Sequence, residues 1–190
     1  MCIRDSSSTH QWAVQSLLWQ SASDTNMMYL NSTGAQSDDT NVFQAAPTTT
    51  VFSPQGGGWG GIGASGETYI TYCWHSVEGY SKVGTFAGNG GVDGPFIYLG
   101  FKPGWVMIKT SNLSNHHWYI WDNKRVVDNP NNKVMYPSTN LGDQTSNDYL
   151  IDFLSNGFKV RNASNFDNNS SGTYLYMAFA EEPFKTAHAR

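Results

Sequence analysis

Along most of this chain apolar positions alternate with polar ones, and nowhere do they recur for long at every third or fourth residue, so the pattern is that of strands rather than helices. The segment I-D-F-L-S-N-G-F-K-V-R, Ile151 to Arg161, shows it most sharply. Asn156-Gly157 is the favoured pair for a two-residue type I′ turn, whose central positions both need positive φ. Pairing outward from that turn sets Ser155 opposite Phe158, Phe153 opposite Val160 and Asp152 opposite Arg161. Ile151, Phe153, Phe158 and Val160 then share a buried face, and Asp152, Lys159 and Arg161 a wet one. A slip of one residue would expose the aromatics, so the pattern enforces its own faces.

Further strands are predicted at Tyr69–Val77, Ser81–Ala87, Phe96–Phe101, Trp105–Thr110, His117–Trp121 and Tyr174–Ala180. The glycines of A-G-N-G-G-V-D-G-P, between the second and third of these, permit the positive φ of a tight return. Trp12–Trp19 is the one weakly helical stretch. These elements predict an all-β protein, an antiparallel β-sandwich of jelly-roll-like type.

The strands recur. Shifting the chain by 106 residues lays His10 and Trp12 on His116 and Trp118, Ser32-Thr33 on Ser138-Thr139, and Asn41 on Asn147. Phe43 meets Tyr149, Phe52 meets Phe158, and Ser65-Gly66 meets Ser171-Gly172, while Met28-Tyr29 returns one residue out of step at Met135-Tyr136. An ordered series of this length predicts a tandem repeat whose first copy is incomplete. The resulting division is a leader at 1–9, the C-terminal part of a truncated repeat at 10–79, a complete repeat at 80–184 and a tail at 185–190. Met1–Ser6 reads as a translated assembly scar outside the fold, and no apolar segment of a secretory signal follows it.

Composition narrows the function classes. A net charge of −4 with scattered cations excludes nucleic acid as the main partner, since phosphate binding needs clustered positive charge. No apolar run reaches the ~20 residues of a bilayer span, so no membrane insertion is expected. Cys2 and Cys73 supply no disulfide framework, which fits folding in a reducing cytoplasm.

Among possible catalysts, Glu67, Asp93, Asp122, Asp152, Glu181 and Glu182 lie near strand ends, yet nothing marks two of them as a glycosidase pair, and no nucleophile–base set stands out. No enzymatic activity and no cofactor are expected. Cys73 and His75 share a face of a strand without further converging ligands, so Cys73 reads as a buried strand residue and no metal site is expected. The loop D-N-P-N-N at Asp128–Asn132 reads as an Asx-rich turn.

Binding chemistry is the remaining possibility, because seven Trp, ten Tyr and ten Phe are many for a chain with 14% charged residues. Most belong in a core. Trp118 recurs as Trp12 and is expected to serve the fold. Trp121 falls on Gln15 and points to the other face, so Trp121, with His117 and Tyr119 beside it, is the expected exposed contact, together with Trp59 in the glycine loop G-G-G-W-G-G.

The ordered series G-N-G-G-V-D-G-P (Gly88–Pro95), G-F-K-P-G-W-V-M-I-K (Gly100–Lys109), W-D-N-K-R (Trp121–Arg125), I-D-F-L-S-N-G-F and G-T-Y-L-Y-M-A-F-A-E-E-P-F resembles a repeat domain of uncharacterised function found in tail-fibre-like and other virion proteins of marine bacteriophages. The resemblance covers the second copy closely and Met28–Ser76 more loosely. The first copy departs from it by lacking the G-F-x-P-x-W-V-x-I-K strand. The resemblance implies a virion location, other tail proteins as partners, homotrimeric assembly, and adhesion to a host-surface glycan or receptor. The alternatives are a carbohydrate-binding or carbohydrate-active module of a secreted bacterial protein, and a ligand-free spacer.

Overall fold

The computed structural model describes residues 2–5 (backbone only), 11–19, 25–56, 62–63, 65–163 and 167–184. The chain divides into two compact units, Met1–Trp74 and His75–Arg190. The fold is all-β, in antiparallel sheets stacked as sandwiches rather than closed as a barrel. Among the described residues the only helical pieces are single 3-10 turns at Leu17–Trp19 and Asn147–Tyr149, and no helix is long and apolar enough to cross a membrane.

The first unit contains β1 (Cys2–Asp5), β2 (Ala13–Val14), β3 (Asn26–Tyr29), β4 (Ser37–Asp38), β5 (Phe43–Ala45), β6 (Ser53–Pro54) and β7 (Tyr69–Tyr72). Five of them form one sheet in the order β4-β3-β2-β1-β7, and β5 pairs with β6. Ala13, Met27, Val42, Phe43 and Ile62 make the core, with Tyr29, Phe52 and Tyr69 packed against it.

The second unit contains β8 (Ser81–Ala87), β9 (Phe96–Tyr98), β10 (Pro103–Thr110), β11 (Tyr119–Asp122), β12 (Lys133–Val134), β13 (Gln144–Thr145), β14 (Ile151–Leu154), β15 (Gly157–Val160) and β16 (Thr173–Ala180). A sheet of order β11-β10-β16-β8 continues past β11, through a bridge between Ile120 and Met135, toward the β12–β13 pair. A three-stranded sheet, β14-β15-β9, forms the opposing layer. Alternation along β10, β11 and β16 turns Val106, Ile108, Tyr119, Trp121, Tyr174 and Tyr176 inward, against Ile97, Ile151, Phe153 and Phe158. Phe158 meets Phe86 and Tyr176 edge-on, with centroids 6.2 and 5.6 Å apart.

The two units write one strand order. β13-β12-β11-β10-β16 in the second matches β4-β3-β2-β1-β7 in the first. The registers agree as well. Asn26↔Asp38 and Met27↔Ser37 in β3–β4 become Lys133↔Thr145 and Val134↔Gln144 in β12–β13, every residue 107 positions on. Ile3 faces Thr71 across β1–β7 and Ile108 faces Tyr176 across β10–β16, each 105 positions on. Shifts of 105 and 107 positions, either side of the sequence offset of 106, thus relate the two pairing patterns.

Several expectations change. Cys2–Asp5, read as lying outside the fold, forms β1 and takes the place that β10 holds in the second unit, between the equivalents of β11 and β16. The predicted strand Tyr69–Val77 stops at Tyr72, which leaves Cys73 exposed rather than buried.

In the hairpin, Leu154 pairs with Gly157 and Phe153 with Phe158, so the turn residues are Ser155 and Asn156, neither of which takes positive φ. The buried and wet faces are nonetheless as expected, because every partner moves by two residues. Asp152 and Arg161, no longer opposite, still bridge at 3.3 Å. The tertiary setting explains the shift. The Asn156 carbonyl accepts from the N–H groups of Leu99 and Gly100, at 2.9 and 3.1 Å. Gly157 lies inside the strand beside β9, where a Cβ would overlap the Ile97 carbonyl oxygen. This glycine serves the close approach of a neighbouring strand rather than the turn.

Candidate binding face of the second unit

β9 is short and apolar on both sides. Alternation sends Ile97 into the core and leaves Phe96 and Tyr98 on the outer face, 44% and 60% exposed. Two rows cross that face: Phe96, Lys159 and Asp152 stand in register, as do Tyr98, Gly157 and Leu154. Because Gly157 has no side chain, backbone alone lies beside Tyr98, and the Phe96 ring edge leans over it, 3.1 Å from where a Cβ would stand.

Charged groups border the rings. Lys159 Nζ bridges to Asp93 at 2.9 Å and donates to the Gly94 carbonyl at 3.0 Å. Arg161 lies 3.8 Å from Asp93 and also holds Asp152. The hydrogen bond from Lys159 keeps the Asp93 carboxyl below the usual carboxylate range. Lys82 donates to the Tyr98 carbonyl at 2.8 Å and sits 5.3 Å from the centroid of the Tyr98 ring, a cation–π contact that fixes the ring.

Behind the face, Asn168 holds the loop that leads into β9. Its Nδ2 donates to Asn89 Oδ1, the Gly91 carbonyl and the Asn162 carbonyl, and its Oδ1 accepts from the Asn89 N–H. Within the loop Gly90 takes φ +68°, the return that the glycine run implied. The face is therefore a strip of two aromatic rings bordered by carboxylates and cations. Such a strip can stack on apolar ring faces of a ligand and exchange hydrogen bonds with its hydroxyls.

The residues expected to form the contact lie elsewhere. Trp121 and Tyr119 are wholly buried, and Trp121 Nε1 donates to the Tyr149 carbonyl at 2.9 Å. Tyr119 packs among Trp121, Tyr136 and Tyr149, and burial pushes its phenol far above the ordinary value. His117 is half-buried, its ring tilted against that of Tyr136 with centroids 4.7 Å apart, with Nδ1 2.8 Å from Ser138 Oγ; burial, and then the charge of Lys109, hold its imidazole below the usual value. The three do adjoin, but Tyr119 and Trp121 within the core and His117 at its margin. Trp118 is buried too, as expected, while Trp59 lies outside the described residues. Placing Trp118 and Trp121 on opposite faces did not decide which face the second layer covers.

Four of the six carboxylates near strand ends are engaged as partners of cations: Asp93 with Lys159, Asp122 with Arg125, Asp152 with Arg161, and Glu181 with Lys102 at 2.8 Å. In the D-N-P-N-N loop, the Asn129 amide pairs with both backbone groups of Phe153, at 2.9 Å each, as an added strand residue would. Among the described residues no three His, Cys, Asp or Glu side chains converge as metal ligands. The signal for Phe96 and Tyr98 was available in P-F-I-Y-L, where Ile97 claims the core and its neighbours must face away.

A family model described as a domain of unknown function, DUF7483, matches residues 1–183, and the chain belongs to that family. No curated protein and no solved structure matches the chain.

Proposed function

We propose that this chain is a non-catalytic structural and adhesion module of a virion tail-fibre-like protein, built from a tandemly repeated sandwich, and that it offers the outer face of β14-β15-β9 to a host-surface glycan or receptor. The observation that carries this reading is the exposure of Phe96 and Tyr98 on one strand, bordered by Lys159, Arg161, Asp93 and Asp152. By strand geometry, residues two apart are separated by about 6.7 Å, a spacing on the scale of a sugar ring. Exposed aromatics framed by polar groups are the composition of recognition surfaces, whereas a pure spacer has no need of them. The phage context rests on the motif series from Gly88 to Phe184. Each face would bind weakly, and presentation in a homotrimer compensates through effective concentration.

The test is a glycan array probed with a multimerised form of the chain, beside proteomic analysis of purified phage particles. Binding to a defined glycan class that Phe96→Ala or Tyr98→Ala weakens supports the reading. A silent array favours the ligand-free spacer, and release of reducing sugar favours a carbohydrate-active enzyme.

A further inference from the structure

Phe96, Tyr98, Lys159 and Arg161 share the outer face of β14-β15-β9, because alternation turns Ile97, Phe158 and Val160 the other way, out of solvent. Cations flank both rings on that face. Lys159 stands opposite Phe96 in the ladder, with Arg161 two residues further along the chain. Lys82 reaches the other ring from β8, its Nζ 5.3 Å from the Tyr98 centroid.

The carboxylates there do not balance the cations. Asp93 and Asp152 bridge to Lys159 and Arg161, and among the described residues no carboxylate pairs with Lys82. Its ammonium has three donors, of which one goes to the Tyr98 carbonyl. Three cations against two carboxylates leave these five groups with a surplus of one positive charge, on a chain whose net charge is −4. Asp93 serves two cations with a single oxygen: Oδ1 lies 2.9 Å from Lys159 Nζ and 3.8 Å from Arg161 Nη1, and its side chain is 82% exposed. So exposed an ion pair is weakly held. The Asp93 carboxylate therefore sits, open to solvent, where the anionic group of a ligand would sit.

We infer, on the reading of this face as the binding surface, that its ligand is an acidic polysaccharide, one carrying carboxylate or sulfate groups. Such a chain lays the apolar faces of its sugar rings on Phe96 and Tyr98. It sets one anionic group on Lys82, and another on Lys159 and Arg161 in place of the Asp93 carboxylate. A neutral glycan leaves the surplus charge unanswered, and a basic one is repelled by it.

The test passes the multimerised full chain over immobilised polygalacturonate, dextran sulfate and uncharged dextran, which separate carboxylate, sulfate and neutral ligands. Retention on one or both acidic polymers should exceed that on dextran by about tenfold or more and weaken as salt rises. Lys82→Gln should lower it by about threefold or more, while Asp93→Asn, which removes the internal competitor, should raise it by about the same factor. Asp143→Asn makes the same change in net charge beside Lys133 and Arg125, and should raise it less. Equal gains from the two Asp→Asn variants, or retention that Lys82→Gln leaves unchanged, would overturn the inference. Retention on dextran alone that Phe96→Ala abolishes would overturn the acidic class and keep the binding face. No retention on any of the three polymers would overturn both.

Discussion

Gln15 and Trp121 occupy the same position in their respective units and make the same kind of bond. Gln15 Nε2 donates to the Ala45 carbonyl at 3.1 Å, and Trp121 Nε1 donates to the Tyr149 carbonyl at 2.9 Å. Both side chains are buried, and in both units the strand ahead of them pairs alike, Val14 with Met28 and Ile120 with Met135. An amide in one copy and an indole in the other thus tie one layer to a backbone carbonyl near the other. The pair explains why Trp121 is a poor ligand contact and a strong structural one.

Trp121→Ala should destabilise the chain by about 3–5 kcal/mol, through lost burial and the cavity left behind. Trp121→Phe keeps most of the volume and loses the N–H, so its cost should be about 1–3 kcal/mol for the orphaned carbonyl. Urea unfolding of the two variants checks the ranking; equal costs would contradict it.

Gly157→Ala should cost about 1–3 kcal/mol, because the added methyl meets the Ile97 carbonyl and must push β9 away. The same change should weaken any ligand bound at Phe96 and Tyr98, since β9 carries both. Melting temperature and binding should fall together in this variant.

Asn168→Ala removes a side chain that serves three acceptors and one donor, leaving buried backbone groups unpaired. A loss of about 2–3 kcal/mol is expected, with faster hydrogen exchange in Gly88–Gly91. Unchanged exchange there would show that the loop is held by something else.

Asp167 gives a pH signature. Burial pushes its carboxyl up to about 8 from an ordinary 3.8, against the opposing hydrogen bond from Asn162. The folded chain therefore keeps a proton that the unfolded chain releases, and stability from this group is complete below pH 3.8 and lost as pH rises through about 8. His117, lowered by burial, acts in the opposite sense near its own titration, so the comparison must be with Asp167→Asn, which retains His117. The stability of wild type relative to that variant should fall by up to about 1.4 kcal/mol per pH unit across this window. Parallel stability curves would contradict the assignment.

Much of the fold was legible because alternation is a local property. It marked the longer strands of the second unit, though not Lys133–Val134 or Gln144–Thr145, and sorted Ile151, Phe153, Phe158 and Val160 from their wet neighbours. It does not say which face meets the second layer when both carry aromatics, so alternation alone sets Trp121 and Tyr119 on the surface. The hairpin register depended on Gly157, whose role is set by β9, more than fifty residues away in the chain. Cys2–Asp5 carries too few residues for a pattern, and only pairing with β2 and β7 defines it as a strand.

The most direct test of the binding face uses tetramerised chain and immobilised host-envelope polysaccharide, read by surface plasmon resonance. Phe96→Ala/Tyr98→Ala is to be compared with wild type after both are shown to melt alike. The account requires that wild type be retained and that the double variant lose at least about tenfold in affinity, on the scale of two stacked aromatic contacts. Equal retention of the two proteins, or none of wild type, would contradict it.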